Sequence, residues 1–433
     1  MIEITIYLNI IVTLLTLKIK LGHINNFTSI FNSWWGLLVF LSSRGFFGLN
    51  IPSENTFITV LIGMIGFNLS SILFENNAKL SIDNYYHMIH FKLRERFLIF
   101  IQLLVLGLMI PYFIDSLQII ISSGLPSLRT LVFDSAIDQF ILYYLIEPLI
   151  VASMLTLLFL IFGNKKNKLL YLLIINNLIL YTFTFGGRIN FFRLTIFLIL
   201  MAKLYETTPK LLNVKLKNLK SKRKSLGILG VAVLIGLYIT IKRSAGDLYS
   251  VVEQIYIYFV GSFTLYDKLD LLGYPKNSDL LFGRATIGGF VDTIILFFEQ
   301  TINVCNFTKA DMAITKVNQV TSQYYEIGYG KLMNAFPTMF YIFRLDFGYF
   351  GVFVIPFLYG SILNFIKIKA SKINNIKYGM IYVLLAYIGI FGSNRWEPSQ
   401  FWFWGTLFYI SLFFTEKKKG RTHEPNIDNN DRL

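Results

Sequence analysis

The chain has 433 residues, 55% hydrophobic and 17% aromatic, with only 15% charged and a formal net charge of +15. That balance lies outside the range of soluble globular domains and reads as a polytopic membrane protein. It also argues against a nucleic-acid partner, because the charge divides by side of the membrane instead of gathering in one basic patch.

Apolar stretches long enough to cross a bilayer occur in chain order at 3–20, 29–48, 56–75, 97–121, 138–163, 169–185, 190–205, 226–241, 347–366, 378–393 and 400–415. About eleven spans are therefore expected, with the N-terminus outside and the C-terminus inside. The first stretch, Ile4 to Leu17, follows Glu3 with no basic region and no small-residue cleavage site, so it reads as a retained span and not a removable signal. In this topology 26 of the 40 Lys and Arg residues lie inside, among them Lys165 to Lys168, Lys210 to Lys224, Lys367 to Lys377 and Lys417 to Arg421. This is the positive-inside pattern. It makes the inner surface a lipid-facing one, worth about 1 kcal/mol per basic residue near an anionic leaflet. The outer segment 241–346 is the long one, and Val251 to Tyr266 and Thr286 to Thr301 within it read as helices lying in the interface or dipping partway in. The expected organisation is one all-α membrane domain over 1–415 with a disordered polar tail over 416–433.

Chemistry is narrowed by what is missing. Cys305 is the sole cysteine, which removes internal disulfides and multi-cysteine metal clusters. His23, His87, His90 and His423 all fall on inner segments, and there is no Walker loop, HExxH, GxSxG with partners, or paired acid for a metal-held nucleotide sugar. No cofactor or metal is expected.

Arginine is distributed differently from lysine. Only five of the inner basic residues are Arg, but eight of the 14 outer ones are: Arg44, Arg129, Arg188, Arg193, Arg243, Arg284, Arg344 and Arg395. A guanidinium offers a planar fork that meets phosphate or carboxylate oxygens two at a time, so this bias points to an anionic ligand on the outer face. Gly186-Gly187-Arg188 ends the sixth span, and Arg193 lies in the first turns of the seventh, near a helix N-terminus suited to an anion. The competing reading of Arg193 is snorkelling or an intramembrane ion pair with Glu147, itself deep in the fifth span beside Pro148. Arg284 precedes Gly288-Gly289. Asn334 to Thr338, followed by Arg344 and Asp346, joins the long outer segment to the ninth span, and Arg344 with Asp346 reads first as a local salt bridge. Asn394, Arg395, Trp396 and Glu397 fill the last outer hairpin, where Trp396 reads as an interface anchor ahead of a sugar platform.

Several of these segments resemble the bacterial oligosaccharide repeat-unit polymerases, the O-antigen polymerases of the Wzy type. Gly186 to Arg193 looks like that family's Arg-bearing hairpin; Tyr258, Gly261-Ser262-Phe263 and Asp267 with Phe282-Gly283 and Thr286 resemble its loop signature. Asn334 to Thr338 with Asp346-Phe347-Gly348, Gly351 and Gly360 is similar to its Asn…Thr…Asp-Phe-Gly…Gly pattern. The resemblance covers about residues 170–405. It implies a GT-C-like membrane glycosyltransferase of the bacterial inner membrane that moves a growing glycan from undecaprenyl pyrophosphate onto the next lipid-linked repeat, on the periplasmic face. It further implies that Arg188, Arg193 and Arg284, with Arg344 and Arg395, hold pyrophosphate, and that a separate chain-length regulator is a partner; Asn334, Thr338 and, from its depth in the fifth span, Glu147 are further candidates for substrate contact. Asp292, Glu326, Asp346 and Glu397 remain open candidates for the base. An O-antigen ligase would carry an outer-loop histidine, and a flippase or transporter paired repeats with broken helices; neither is present in the sequence.

Overall fold

In the computed structural model the described residues are 1–24, 26–75, 90–123, 138, 140–162, 167–185, 189–207, 227, 230, 248–275, 280–302, 306–334, 337–373 and 376–417. They are predominantly helical. The helices are α1 (Ile2–Leu21), α2 (Phe27–Ser42), α3 (Glu54–Phe74), α4 (Glu95–Ser123), α5 (Glu147–Phe162), α6 (Lys168–Phe185) and α7 (Ile189–Thr207), then α8 (Leu248–Leu271), α9 (Arg284–Ile302), α10 (Ala313–Thr321), α11 (Met339–Ile373), α12 (Ile376–Phe391) and α13 (Phe401–Leu412). Among the described residues seven are long and apolar enough to cross a membrane: α1, α3, α4, α5 with a π-helical lead-in at Phe140–Ile146, α6, α9 and α11. Three more, α2, α12 and α13, are apolar but shorter.

Several boundaries differ from the hydropathy reading. The second expected span stops as helix at Ser42, where the chain turns through a left-handed Gly45. Ahead of the ninth expected span, a helical stretch from Met339 carries the polar Arg344 and Asp346 on specific partners and meets the expected start at a break over Phe347 and Gly348. In the long segment that the charge pattern assigns to the outer side, α9 has the length and apolarity of a crossing helix. The expected span 226–241, the Lys210 to Lys224 run, Arg129, and Arg188 with its two glycines lie outside the described residues.

Small residues let α3 and α11 approach closely. A Cβ on Gly63 would stand 2.0 Å from the Phe340 ring, one on Gly66 2.3 Å from the Phe353 carbonyl, and one on Gly360 2.0 Å from the Ser70 hydroxyl. Lipid tails are as apolar as leucine, so such close packing and interhelical hydrogen bonds supply the attraction. The polar component is a ladder in which Asn68 links Asn9 and Asn32, and a Glu75–Lys367 pair at 2.7 Å.

Two short ladders tie distant segments. β1 (His90–Leu93) pairs antiparallel with β4 (Phe414–Lys417), joining two stretches that hydropathy assigns to the inner side, so the start of the polar tail is a strand. β2 (Tyr325–Gly328) and β3 (Lys331–Met333) form a hairpin, and Asn50 N–H donates to the Ile327 carbonyl at 2.9 Å, joining stretches assigned to the outer side.

Candidate functional site

The turn between α12 and α13 is pinned from three directions. The Met339 amide at the start of α11 donates to the Gly392 carbonyl at 2.7 Å, and the Trp396 indole donates to the Thr286 carbonyl on α9 at 2.9 Å. Gly289 lies against the backbone of Gln400, where a Cβ would stand 2.3 Å from its carbonyl carbon. Ser393, Asn394, Trp396, Glu397 and Ser399 are consequently all buried. Trp396 is thus neither the interface anchor nor the exposed platform its hairpin position suggests, because its indole N–H is taken by α9 and its ring packs 4.8 Å from Phe343.

Beneath this turn sits Arg193, only 1% exposed. Its guanidinium donates to Glu147 Oε1 at 2.8 Å and Asn190 Oδ1 at 3.2 Å, stacks 4.1 Å from the Trp402 ring, and lies 3.8 Å from Glu397 Oε1. Glu397 Oε2 in turn accepts from Arg395 Nη2 at 2.9 Å and from the Trp402 indole at 3.1 Å. Two arginines and two glutamates therefore form one alternating network across α5, α7 and the turn. The ion pair of Arg193 with Glu147 is formed. Glu147 opens α5 just before Pro148, where the π-helical turn Phe140–Ile146 ends.

The network is incomplete. Arg193 Nε, Glu397 Oε1 and Asn394 Nδ2 are buried without a hydrogen-bond partner, and the Tyr387 hydroxyl faces Arg193 without an aligned bond. Thr338 Oγ1, beside the pinned Met339, is also unpartnered. A buried polar group left unbonded costs on the order of 1–3 kcal/mol, so several in one place mark a site shaped for something other than packing.

The other acidic candidates are engaged in holding helices. Asp346 accepts from the Ala285 and Thr286 amides at 2.8 and 2.7 Å and from the Thr286 hydroxyl, which caps the N-terminus of α9 from a different helix. That cap is needed because the residue before α9 is Gly283, which has no side chain to supply one. Asp292 accepts from Arg284 Nε at 3.0 Å and from the Ala313 amide at the start of α10. Asp267 does the same for α3, bonding the Ser53 amide at 2.8 Å and the Thr56 hydroxyl at 2.9 Å. Glu326 is exposed on β2, away from this network.

The remaining arginines separate. Arg344 binds Asp270 and the Tyr266 hydroxyl, the latter at 2.9 Å, and not the neighbouring Asp346, whose carboxylate is turned toward α9. Arg284 also donates to the Asp311 carbonyl at 2.7 Å, in a turn where the Thr308 hydroxyl and amide hold the Asp311 carboxyl below its usual range. Asn334 donates to the Ser322 carbonyl at 3.3 Å, outside the central cluster. Sequence reasoning missed Tyr387, Asn190 and Trp402; a tyrosine or tryptophan inside an apolar span gives no signal until the facing arginine is known.

No protein-family model, no curated protein and no solved structure matches the chain.

Proposed function

We propose that this protein is a membrane glycosyltransferase that polymerises undecaprenyl-pyrophosphate-linked oligosaccharide repeat units on the periplasmic face of the inner membrane, toward O-antigen or a related surface polysaccharide. The observation that carries the reading is the buried Arg193–Glu147–Glu397–Arg395 network with unsatisfied polar atoms around it. Charged groups inside a membrane domain are costly and mark function by default.

A glycosyl pyrophosphate needs no cofactor to react. The bond between the anomeric carbon and the pyrophosphate oxygen breaks, the acceptor hydroxyl oxygen takes its place, the hydroxyl proton passes to a base, and the lipid pyrophosphate leaves. Arg395 and Arg284, each about a third exposed, keep guanidinium surface for the departing phosphates, with Arg188 on the segment preceding α7. Glu397 is the base in this reading: Oε1 accepts no hydrogen bond, whereas Asp292 and Asp346 spend theirs on amides. Arg193 positions both glutamates. Arg344 belongs to the α8–α11 contact and has no part in the step.

The test is the surface glycolipid of a strain deleted for the gene, beside its complemented counterpart. Collapse of the ladder to lipid core bearing a single repeat supports a polymerase. Loss of that first repeat as well indicates a ligase or flippase, and an unchanged ladder overturns the assignment.

A further inference from the structure

Two adjacent asparagines in the middle of α6 are treated in opposite ways. Asn177 is buried, and its amide donates to the Gln102 carbonyl at 2.8 Å and to Gln102 Oε1 at 2.9 Å on α4. Asn176, about 100° further round the helix, is exposed, and no hydrogen bond joins its side chain to any of the described residues. α6 turns its buried side to α4 and α5, so Asn176 faces away from the rest of the molecule. It shares that outward face with the exposed Leu172, Ile175 and Ile179, and together with Lys168 and Tyr171 these line an open groove of about 580 Å³.

A carboxamide in that position is costly. α6 is long and apolar enough to cross a membrane, and Asn176 stands about 12 to 14 Å from either end at the helical rise. A lysine extends its stem toward the headgroups, but an asparagine side chain is too short to do so. Among acyl chains its donors and acceptor would go unbonded. We infer that the Asn176 face of α6 is a contact between two copies of this chain, related by a two-fold axis that passes between their Asn176 side chains. The carboxamide selects this occupant. It is donor and acceptor at once, so Nδ2 of each copy donates to Oδ1 of the other and the pair closes on itself, which suits the self-complementary surface that a two-fold requires. Asparagine joins helices within bilayers by such bonds. Leu172, Ile175 and Ile179, at spacings of three and four residues, form the apolar seam on either side of the pair. An acyl chain would fill the same groove but offers the carboxamide no partner.

The test is disulfide cross-linking of the full-length protein in native membranes, in a Cys305→Ser background with Asn176 intact. Leu172→Cys and Ile179→Cys should each give a band at twice the chain mass on a non-reducing gel, and Ile11→Cys, on the exposed face of α1, should not. In mild detergent, analytical ultracentrifugation of the purified protein should show a dimer whose Kd rises about tenfold in Asn176→Leu and stays near wild type in Asn176→Gln. Equal cross-linking from all three cysteines, a monomeric wild type, or a Kd unchanged in Asn176→Leu overturns the contact. Cross-links from Leu172→Cys and Ile179→Cys that run only to a different protein also overturn it, and make this face the seat of another membrane helix. Should Asn176→Leu fail to accumulate, the three cysteine positions decide alone.

Discussion

Arg193 shows how one residue can serve structure and chemistry together, and the two roles separate by experiment. Removing one member of a buried ion pair strands the other, at a cost of about 3–5 kcal/mol, whereas replacing both by apolar groups is often tolerated. Arg193→Leu should therefore sharply reduce membrane abundance, and Arg193→Leu with Glu147→Leu should recover abundance by immunoblot yet leave no polymer. Polymer of normal length in the double variant would limit Arg193 to a structural role. Glu397→Gln keeps shape and hydrogen bonding while removing the basic oxygen, and the 10²- to 10⁴-fold usually carried by a general base should be lost at normal abundance; a rate within tenfold of wild type in a purified assay removes Glu397 from that role. The sequence named the Arg193–Glu147 pair because both charges interrupt apolar runs. It could not single out Glu397 from Asp292 and Asp346, since a carboxylate bonded to the amides of a remote helix looks, along the chain, the same as one with an open oxygen.

Those remote caps organise the elements. Asp346 and Gly348 act as one device: Phe347 and Gly348 break the helical geometry of α11, with Gly348 at φ 61°, and the Leu345 and Asp346 carbonyls so released accept the Leu281 and Phe282 amides at 2.9 and 3.2 Å. The kink turns the Asp346 side chain onto α9 while its backbone holds the loop before it. Gly348→Ala is expected to cost about 1–3 kcal/mol through its left-handed backbone, and Asp346→Ala about 0.5–2 kcal/mol as a lost cap. Both should appear as a lower midpoint in thermal melts of purified protein, and Asp346→Asn, which keeps an acceptor, should lose less. Gly289→Ala acts differently, because its methyl would meet the Gln400 backbone and push the α12–α13 turn off α9; activity should fall more than the melting midpoint. Equal losses in both would make that contact purely structural. Asp-Phe-Gly was legible in the sequence as a motif, but its work as a kink and cap depends on α9 lying alongside, which spacing does not encode.

Across the whole molecule, hydropathy located most of the described helices, because the apolar requirement acts on every residue of a span at once. What it could not do was place the end of α2, where turn geometry overrides the apolar average, or foresee the helical stretch from Met339 to Asp346 that ion pairs and caps add before the break in α11. Sidedness is open to direct test: with Cys305 replaced, a cysteine at exposed Tyr329 should react with an impermeant maleimide added from outside, and one at Lys20 only after permeabilisation. The reverse pattern would invert the topology and with it the periplasmic site. The remote caps also set an order of manufacture. α3 leaves the ribosome long before Asp267 and before the α11 residues that fill its glycine notches at Gly63 and Gly66. Through much of synthesis the early helices thus wait in the bilayer with bare amide ends and an open seam, finished only by late arrivals. A chain stopped after α7 should be a client for quality-control proteases, and supplying the missing half as a separate polypeptide should rescue it.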